Sequence, residues 1–296
     1  MMLSKLKKFF PSLIHYSTES HVINPDFQWF MTPEKQIIGI EKSELTQKEI
    51  AILTTLLEPY SPSFPIKTDK EQKWLEIIHE TKTPSKKIAA SYRFVYFHIS
   101  SKQIDPITFK EALNELFAQE VVILWENEKE GMIIEEYEKV EEIISFEQII
   151  DILMSDINVN IHFLVGPFQH NLQAANSHYK NMMKGGHVTF KYSDKNVLTF
   201  PEAVPFILMD QADPEFKEHL TTQILQEFKT DKEFFKTLDM FLQCNLNISN
   251  TAKKLYMHRN TLQYRLDRFK ERTGIDVRNF HQALTVYLVL IAHRNL

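Results

Sequence analysis

A chain of 296 residues with 43% hydrophobic and 12% aromatic residues holds enough apolar material for two or three packed domains, which excludes a disordered polypeptide. A single cysteine, Cys244, excludes an internal disulfide framework and a cysteine-built zinc site. The net charge of −5 is unevenly spread: residues 231–296 hold 11 Lys and Arg against 6 Asp and Glu, while the first 230 hold 23 against 33. An acidic body joined to a basic C-terminal part suits a protein that meets nucleic acid at one end. The opening MMLSKLKKFFPSLIHY has no continuous apolar run before a small-residue cleavage site, and no stretch approaches the length of a membrane span. A soluble cytoplasmic protein without membrane contact is therefore expected.

Residues 1–90 read as a small α/β region. FQWFM and IIGI are short apolar runs on either side of the turn-like TPEKQ, and Thr46 with Glu49 has capping-box spacing before a helix over AILTTLLEPY. The cluster PYSPSFP then breaks the chain. EQKWLEIIHE puts Trp74, Ile77 and Ile78 on one helical side, and TPSKK marks the next boundary.

Residues 91–215 follow the order β-α-β-β-α-β-α. FVYFHI is a strand, Asp105-Pro106 opens a helix carrying Phe109, Leu113 and Leu116, and VVILWE is a second strand whose hairpin partner is MIIEE. A helix runs through Phe146, Ile149, Ile150 and Leu153, followed by the strand NIHFLVG. LQAANSHYKNMMKG predicts a helix ending near Gly185-Gly186, with HVTFKY as a short final strand. Such an order predicts a ferredoxin-like or nucleotide-cyclase-like unit, a mixed or antiparallel sheet with helices on one face. A connecting segment with Pro201, Pro205 and Pro214 leads onward.

Residues 225–296 are helical throughout. FFKTLDMFLQC turns Leu238, Phe241 and Leu242 inward; SNTAKKLYM is a second short helix with Ser249 as N-cap and Ala252 and Leu255 buried. The small Ala252 permits a close crossing with the third helix, RNTLQYRLDRFKERTG, whose Leu262, Leu266 and Phe269 mark its core side. Arg259, Asn260, Gln263, Tyr264, Arg265 and Arg268 fall mostly elsewhere, and such a face suits the major groove: Arg bridges guanine O6 and N7, and Asn and Gln pair with adenine. Thr261 and Tyr264, with Lys253 and Lys254, are candidates for phosphate oxygens. His258 in the turn reads as a structural hydrogen-bonding residue, Arg272 and Arg278 as solvated surface, and Gly274 as the helix stop. NFHQALTVYLVLIAH packs across the motif or against a partner subunit.

The segment NTAKKLYMHRNTLQYRLDRFKERTGIDV closely resembles the C-terminal helix-turn-helix of the PucR family of transcription regulators, which includes sugar-diacid and purine-catabolism regulators; HRNTLQYRL, at 258–266, is its most specific part. The resemblance implies that Thr251, Ala252 and Leu255 belong to the scaffold helix and that the recognition helix begins near Arg259 and Asn260. The middle region is similar to the degenerate cyclase-like domain that often precedes this motif, through strand order and NIHFLVGPFQHNLQAANSHYKNM, although Ser177, His178 and Tyr179 split the family's Ser-Tyr pair. A diguanylate cyclase carries a Gly-Gly-Asp/Glu-Glu-Phe hairpin; Asn127, Glu128, Lys129, Glu130 and Gly131 stand there instead, so a noncatalytic domain is expected.

The expected fold is thus multidomain α+β: a small region over 1–90, a degenerate cyclase-like (ferredoxin-like) α/β domain over 91–215, and an all-α helix-turn-helix domain over 225–296. The partners expected are double-stranded DNA, a second copy in a homodimer or higher homo-oligomer, since one such unit makes few contacts, and an unidentified small-molecule effector. The alternatives are a nucleotide-processing or nucleotide-sensing protein with a regulatory tail, or a noncatalytic interaction scaffold. No phosphate-binding loop, H-E-x-x-H or G-x-S-x-G occurs, and His162, His170, His178 and His187 lie on different elements, so neither enzyme activity nor a cofactor is expected.

Overall fold

The computed structural model describes residues 2–15, 26–34, 36–60, 64–79, 91–100, 104–117, 119–137, 145–157 and 159–294. It is a mixed α/β region followed by an all-α region. Helix α1 (Met2–Phe9) leads into strands β1 (Ile14–His15), β2 (Phe27–Met31) and β3 (Ile37–Glu41), helix α2 (Gln47–Leu56) and strand β4 (Glu58–Tyr60). These strands form an antiparallel sheet of order β1-β3-β2-β4, in which the two apolar runs FQWFM and IIGI pair as a β2–β3 hairpin at its centre. Phe30, Ile38, Ile40 and Leu53 are its core. The Thr46–Glu49 capping box forms, with Glu49 N donating to Thr46 Oγ1 at 3.3 Å and Thr46 N donating to the Glu49 carboxylate at 2.8 Å. The helix expected over AILTTLLEPY ends at Leu56, and Glu58–Tyr60 instead pairs with β2.

Helix α3 (Asp69–Ile78) packs on a second sheet built from β5 (Ser91–Ile99), β6 (Val122–Asn127), β7 (Glu130–Tyr137), β8 (Ile161–Val165) and β9 (Val197–Thr199), in the order β6-β7-β5-β8-β9. Its first four strands pair antiparallel, and β9 joins β8 in parallel. Helices lie on both faces, not on one as the sequence pattern suggested. Val95 and Phe97 pack with α4 (Pro106–Phe117) and α5 (Phe146–Ile157), whereas Phe94 and Tyr96 pack with Trp74 of α3 and Met182 and Val188 of α6 (Ala175–Tyr192). The run Phe94-Val95-Tyr96-Phe97 is apolar on successive residues, so each face of the strand demands a cover.

At the edge of this sheet, Glu71 of α3 accepts from Lys110 Nζ at 2.7 Å and from the backbone N of Ile123 in β6 at 2.9 Å. Both side chains are almost wholly buried. The carboxylate thereby satisfies a donor on an edge strand as well as a buried ammonium.

Two expectations about the following segment are overturned. Helix α6 runs straight through Gly185 and Gly186, and HVTFKY forms its last turns, while the added strand is β9. Glycine in a helix interior costs up to about 1 kcal/mol relative to alanine, yet here it permits contact. A Cβ on Gly186 would lie 2.2 Å from Tyr96 Cδ1, inside the sheet's aromatic core. The proline-bearing connection is also helical: α7 (Phe200–Gln211) begins with a Thr199–Glu202 capping box and Pro201 in its first turn, and Pro214 opens α8 (Pro214–Leu225) behind the Asp213 cap. Proline in a first turn gives up no intrahelical hydrogen bond, so these residues start helices.

The rest of the chain is α9 (Lys232–Gln243), α10 (Ile248–Lys254), α11 (Arg259–Thr273) and α12 (Phe280–His293). The last helix packs against α7, α8 and α9. Among the described residues no helix is long and apolar enough to cross a membrane.

Substituting Gly186→Ala tests the close approach of α6 to β5. Overpacking is expected to destabilise the chain by about 1 to 3 kcal/mol despite alanine's better helix propensity, read as a lower midpoint in urea unfolding. A variant as stable as the parent contradicts the packing described.

Candidate nucleic-acid interface

Four short segments build the helical end around one core. Phe234, Leu238 and Phe241 of α9, Ala252 of α10, Leu262, Leu266 and Phe269 of α11, and Val286, Val289 and Leu290 of α12 are all buried together. Asp231 caps α9 by accepting from Phe234 N at 2.9 Å. The cap of α10 is Asn247, which accepts from Asn250 N at 3.0 Å, and not Ser249, which lies inside the helix. Two successive left-handed residues, Asn245 and Leu246, make the turn before it, and this displaces the helix start from the serine. Thr251 is buried and donates to Asn247 O at 2.7 Å, so α10 packs through Thr251 and Ala252 while Lys253 and Lys254 point outward.

The turn into α11 holds Tyr256 at φ 52° and 98% exposed. His258 is the N-cap of α11, its Nδ1 accepting from Asn260 N at 3.2 Å, in agreement with a structural reading of that residue. Gly274 ends the helix at φ 75°, with open space around its missing Cβ; backbone conformation alone calls for glycine there.

On α11 the buried stripe Leu262–Leu266–Phe269 fixes which residues face outward at a period of 3.6. Asn260 and Tyr264 lie opposite that stripe, with Thr261, Gln263 and Arg268 on its flanks. Arg259, Asn260, Thr261 and Arg268 are exposed, Tyr264 is 69% exposed and Gln263 is half-buried. Arg268 also lies 5.8 Å from the centre of the Phe228 ring. Asp267 and Glu271 occupy the outer side further along. The first two turns are therefore free of acidic groups and the later ones are not.

Arg265 departs from the face assigned to it by sequence. Its guanidinium turns onto α9, donating to Glu233 at 2.6 Å and to Thr237 Oγ1 at 3.2 Å. The physical reason is its angular position, one step from the buried stripe and within reach of the neighbouring helix. Arg278, expected as free surface, is also tied down: it bonds Asp276 at 2.7 Å and Asp267 at 2.8 Å, and Lys270 lies 3.0 Å from Asp276. The Arg278 hydrogen bond is the main cause that holds the Asp276 carboxyl well below the ordinary carboxylate range, against a smaller opposing effect of burial. This cluster braces the link between α11 and α12.

Sequence reasoning missed Tyr256. No glycine or asparagine signals its left-handed backbone, and the only hint is an aromatic residue in a two-helix turn otherwise marked by His258.

The family described as the PucR C-terminal helix-turn-helix domain matches residues 234–292. Almost the whole chain is similar to YxkF of Bacillus subtilis (strain 168), 30% identical over 279 residues that make up 90% of this chain and 91% of that one. A leucine-rich protein of Streptococcus dysgalactiae subsp. equisimilis is 24% identical over 304 residues, 98% of this chain and 100% of that protein. The carbohydrate diacid regulator of Escherichia coli (strain K12) is 44% identical over 55 residues, 19% of this chain and 14% of that protein. The C-terminal helix-turn-helix domain is thus homologous to those of PucR-type regulators.

The Asp276 cluster has a definite pH signature. A carboxyl with its folded-state pKa below the unfolded value near 3.9 stabilises fully above about pH 4, and loses that contribution as pH falls toward its folded value. Asp276→Asn is expected to lose about 1.5 to 3 kcal/mol at pH 7, with the gap to the parent narrowing below pH 4 in urea unfolding. A gap that is constant from pH 7 to 3 contradicts this account.

Proposed function

We propose that this chain, which belongs to the same family as Bacillus subtilis YxkF and ends in a domain homologous to PucR-type regulators, is a sequence-specific double-stranded DNA-binding transcription regulator. One observation carries the reading. The first two turns of α11 contain no acidic residue and present Arg259, Asn260, Thr261, Gln263 and Tyr264, beside the exposed Lys253 and Lys254 at the end of α10.

The first turns of a recognition helix are the part that meets base edges, and Asn260 and Gln263 suit adenine there as Arg259 suits guanine. Lys253, Lys254 and Arg268 neutralise phosphates, and the hydroxyls of Thr261, Tyr264 and Tyr256 donate to phosphate oxygens. Arg265 takes a different role from that of a base reader: joined to Glu233 and Thr237, it sets the angle of α11 on α9. Asp267 and Glu271 repel the backbone and limit how far the helix lies along the groove.

The second sheet is read as a degenerate cyclase-like domain without catalysis. Its β5-α4-β6-β7-α5-β8 order, with β7 and β8 flanking β5, supports that reading. Glu130, at the hairpin where a cyclase holds metal and phosphate, is occupied by Tyr96 at 2.6 Å, Asn127 at 2.7 Å and His187 at 2.8 Å. The regulator acts in the cytoplasm as a homodimer, which doubles a small footprint on a two-fold site.

The test begins with selection of duplexes from a random pool by the full chain, followed by fluorescence anisotropy. Asn260→Ala and Gln263→Ala are expected to cost about 1 to 3 kcal/mol on the selected site and little on scrambled DNA. Lys254→Ala weakens both duplexes alike and lowers the salt slope by about one. Parent affinity in all three variants overturns the assignment of this surface.

A further inference from the structure

Helix α9 has two polar flanks, and only one is accounted for. Glu233 and Thr237 receive Arg265; the adjacent flank, with Lys232, Phe235 and Lys236, lines a groove of about 580 Å³ where the start of α9 meets the end of α12. The floor is apolar: Leu290 lies there, and Phe235 stacks on the His293 ring with centroids 4.6 Å apart and planes 17° from parallel.

Four cations border this groove, and two of them are already paired. Lys229 bonds Glu218 and Thr222, and Arg294 bonds Asp239 at 2.6 Å. Lys232 and Lys236 are exposed and have no acidic partner among the described residues. They sit one turn apart in the first half of α9, where like charges repel and cations oppose the helix dipole. Below them, His293 Nδ1 is buried without a hydrogen-bond partner among the described residues. Burial, with Lys229 nearby, lowers the pKa of this imidazole and so favours its neutral form. Two unfavourable arrangements, an unpaired cation pair and an unsatisfied buried nitrogen, thus converge on one apolar-floored groove.

We infer that this groove binds a small organic acid, with its carboxylate between Lys232 and Lys236 and a flat apolar body against Phe235, Leu290 and His293. The anion offsets the lysine repulsion. It also joins α9 to the end of α12, where Ile291 and Ala292 already sit in the core of the second sheet and Arg294 donates to Tyr192 O at 3.4 Å. Binding does not depend on the DNA reading; an effect of binding on duplex affinity does.

The full chain is titrated with benzoate, and with benzyl alcohol as the uncharged counterpart, by isothermal calorimetry. Histidine NMR in the parent and His293→Gln locates the site. Saturable one-to-one benzoate binding is expected, with benzyl alcohol at least tenfold weaker, a shift of the His293 resonance, and at least a tenfold loss in the Lys232→Gln/Lys236→Gln variant. That variant removes a repulsion between exposed residues, and its melting temperature should equal or exceed that of the parent. No saturable benzoate binding, equal affinity for the two probes, or parent affinity in the double variant overturns the inference. It also falls if the parent ignores benzoate while the double variant loses duplex affinity, because the lysines are then contacts to DNA phosphates.

Discussion

Helix α12 contributes to two hydrophobic cores within its last turns. Val286, Val289 and Leu290 are buried among α9, α10 and α11, and the next residues, Ile291 and Ala292, are buried with the aromatic face of the second sheet. A fourteen-residue helix is marginal by itself, whereas each fully buried valine, leucine or isoleucine contributes about 1.5 to 3 kcal/mol. The helix exists because both cores hold it. The orientation of α11 relative to the sheet follows from the same packing, since one rigid element belongs to both sides of the joint.

The second sheet meets a complementary constraint. Its strand β5 is apolar on both faces, so it needs cover from two directions, and one cover must come very close. Gly186 allows α6 to approach Tyr96 within ordinary contact distance. Glu71 and Lys110 hold the other end of the assembly by pairing two buried charges and satisfying the edge of β6. Removing either partner of such a pair typically costs 3 to 5 kcal/mol, roughly, because the other charge remains stranded. Packing and polar satisfaction therefore agree on one arrangement.

In the helical region, charge is sorted by angular position and not by residue type. Arg259 and Arg268 remain in solvent, whereas Arg265 and Arg278 are drawn into contacts with Glu233, Asp276 and Asp267. The arginines between them both brace the bundle and leave a positively charged, amide-rich surface on the first turns of α11. The acidic residues further along that helix restrict the surface to its beginning.

The sequence alone determined the alternation of helices and strands, the β6–β7 hairpin, the Thr46 cap, and the buried stripe of α11. Each follows from short-range periodicity or local hydrogen bonding, which need no knowledge of distant residues. The basic C-terminal charge and the block at 258–266 likewise marked the candidate surface before any fold was known. Tertiary structure alone decided that Gly185 and Gly186 continue a helix, that Pro201 and Pro214 begin helices, and that Arg265 faces α9 instead of solvent. In each of these cases the outcome depended on what lay opposite: an aromatic ring, a capped first turn joined to the bundle, or a carboxylate on another helix. Local propensities of up to about 1 kcal/mol per residue do not oppose contacts of that size, so the partner in space settled the choice.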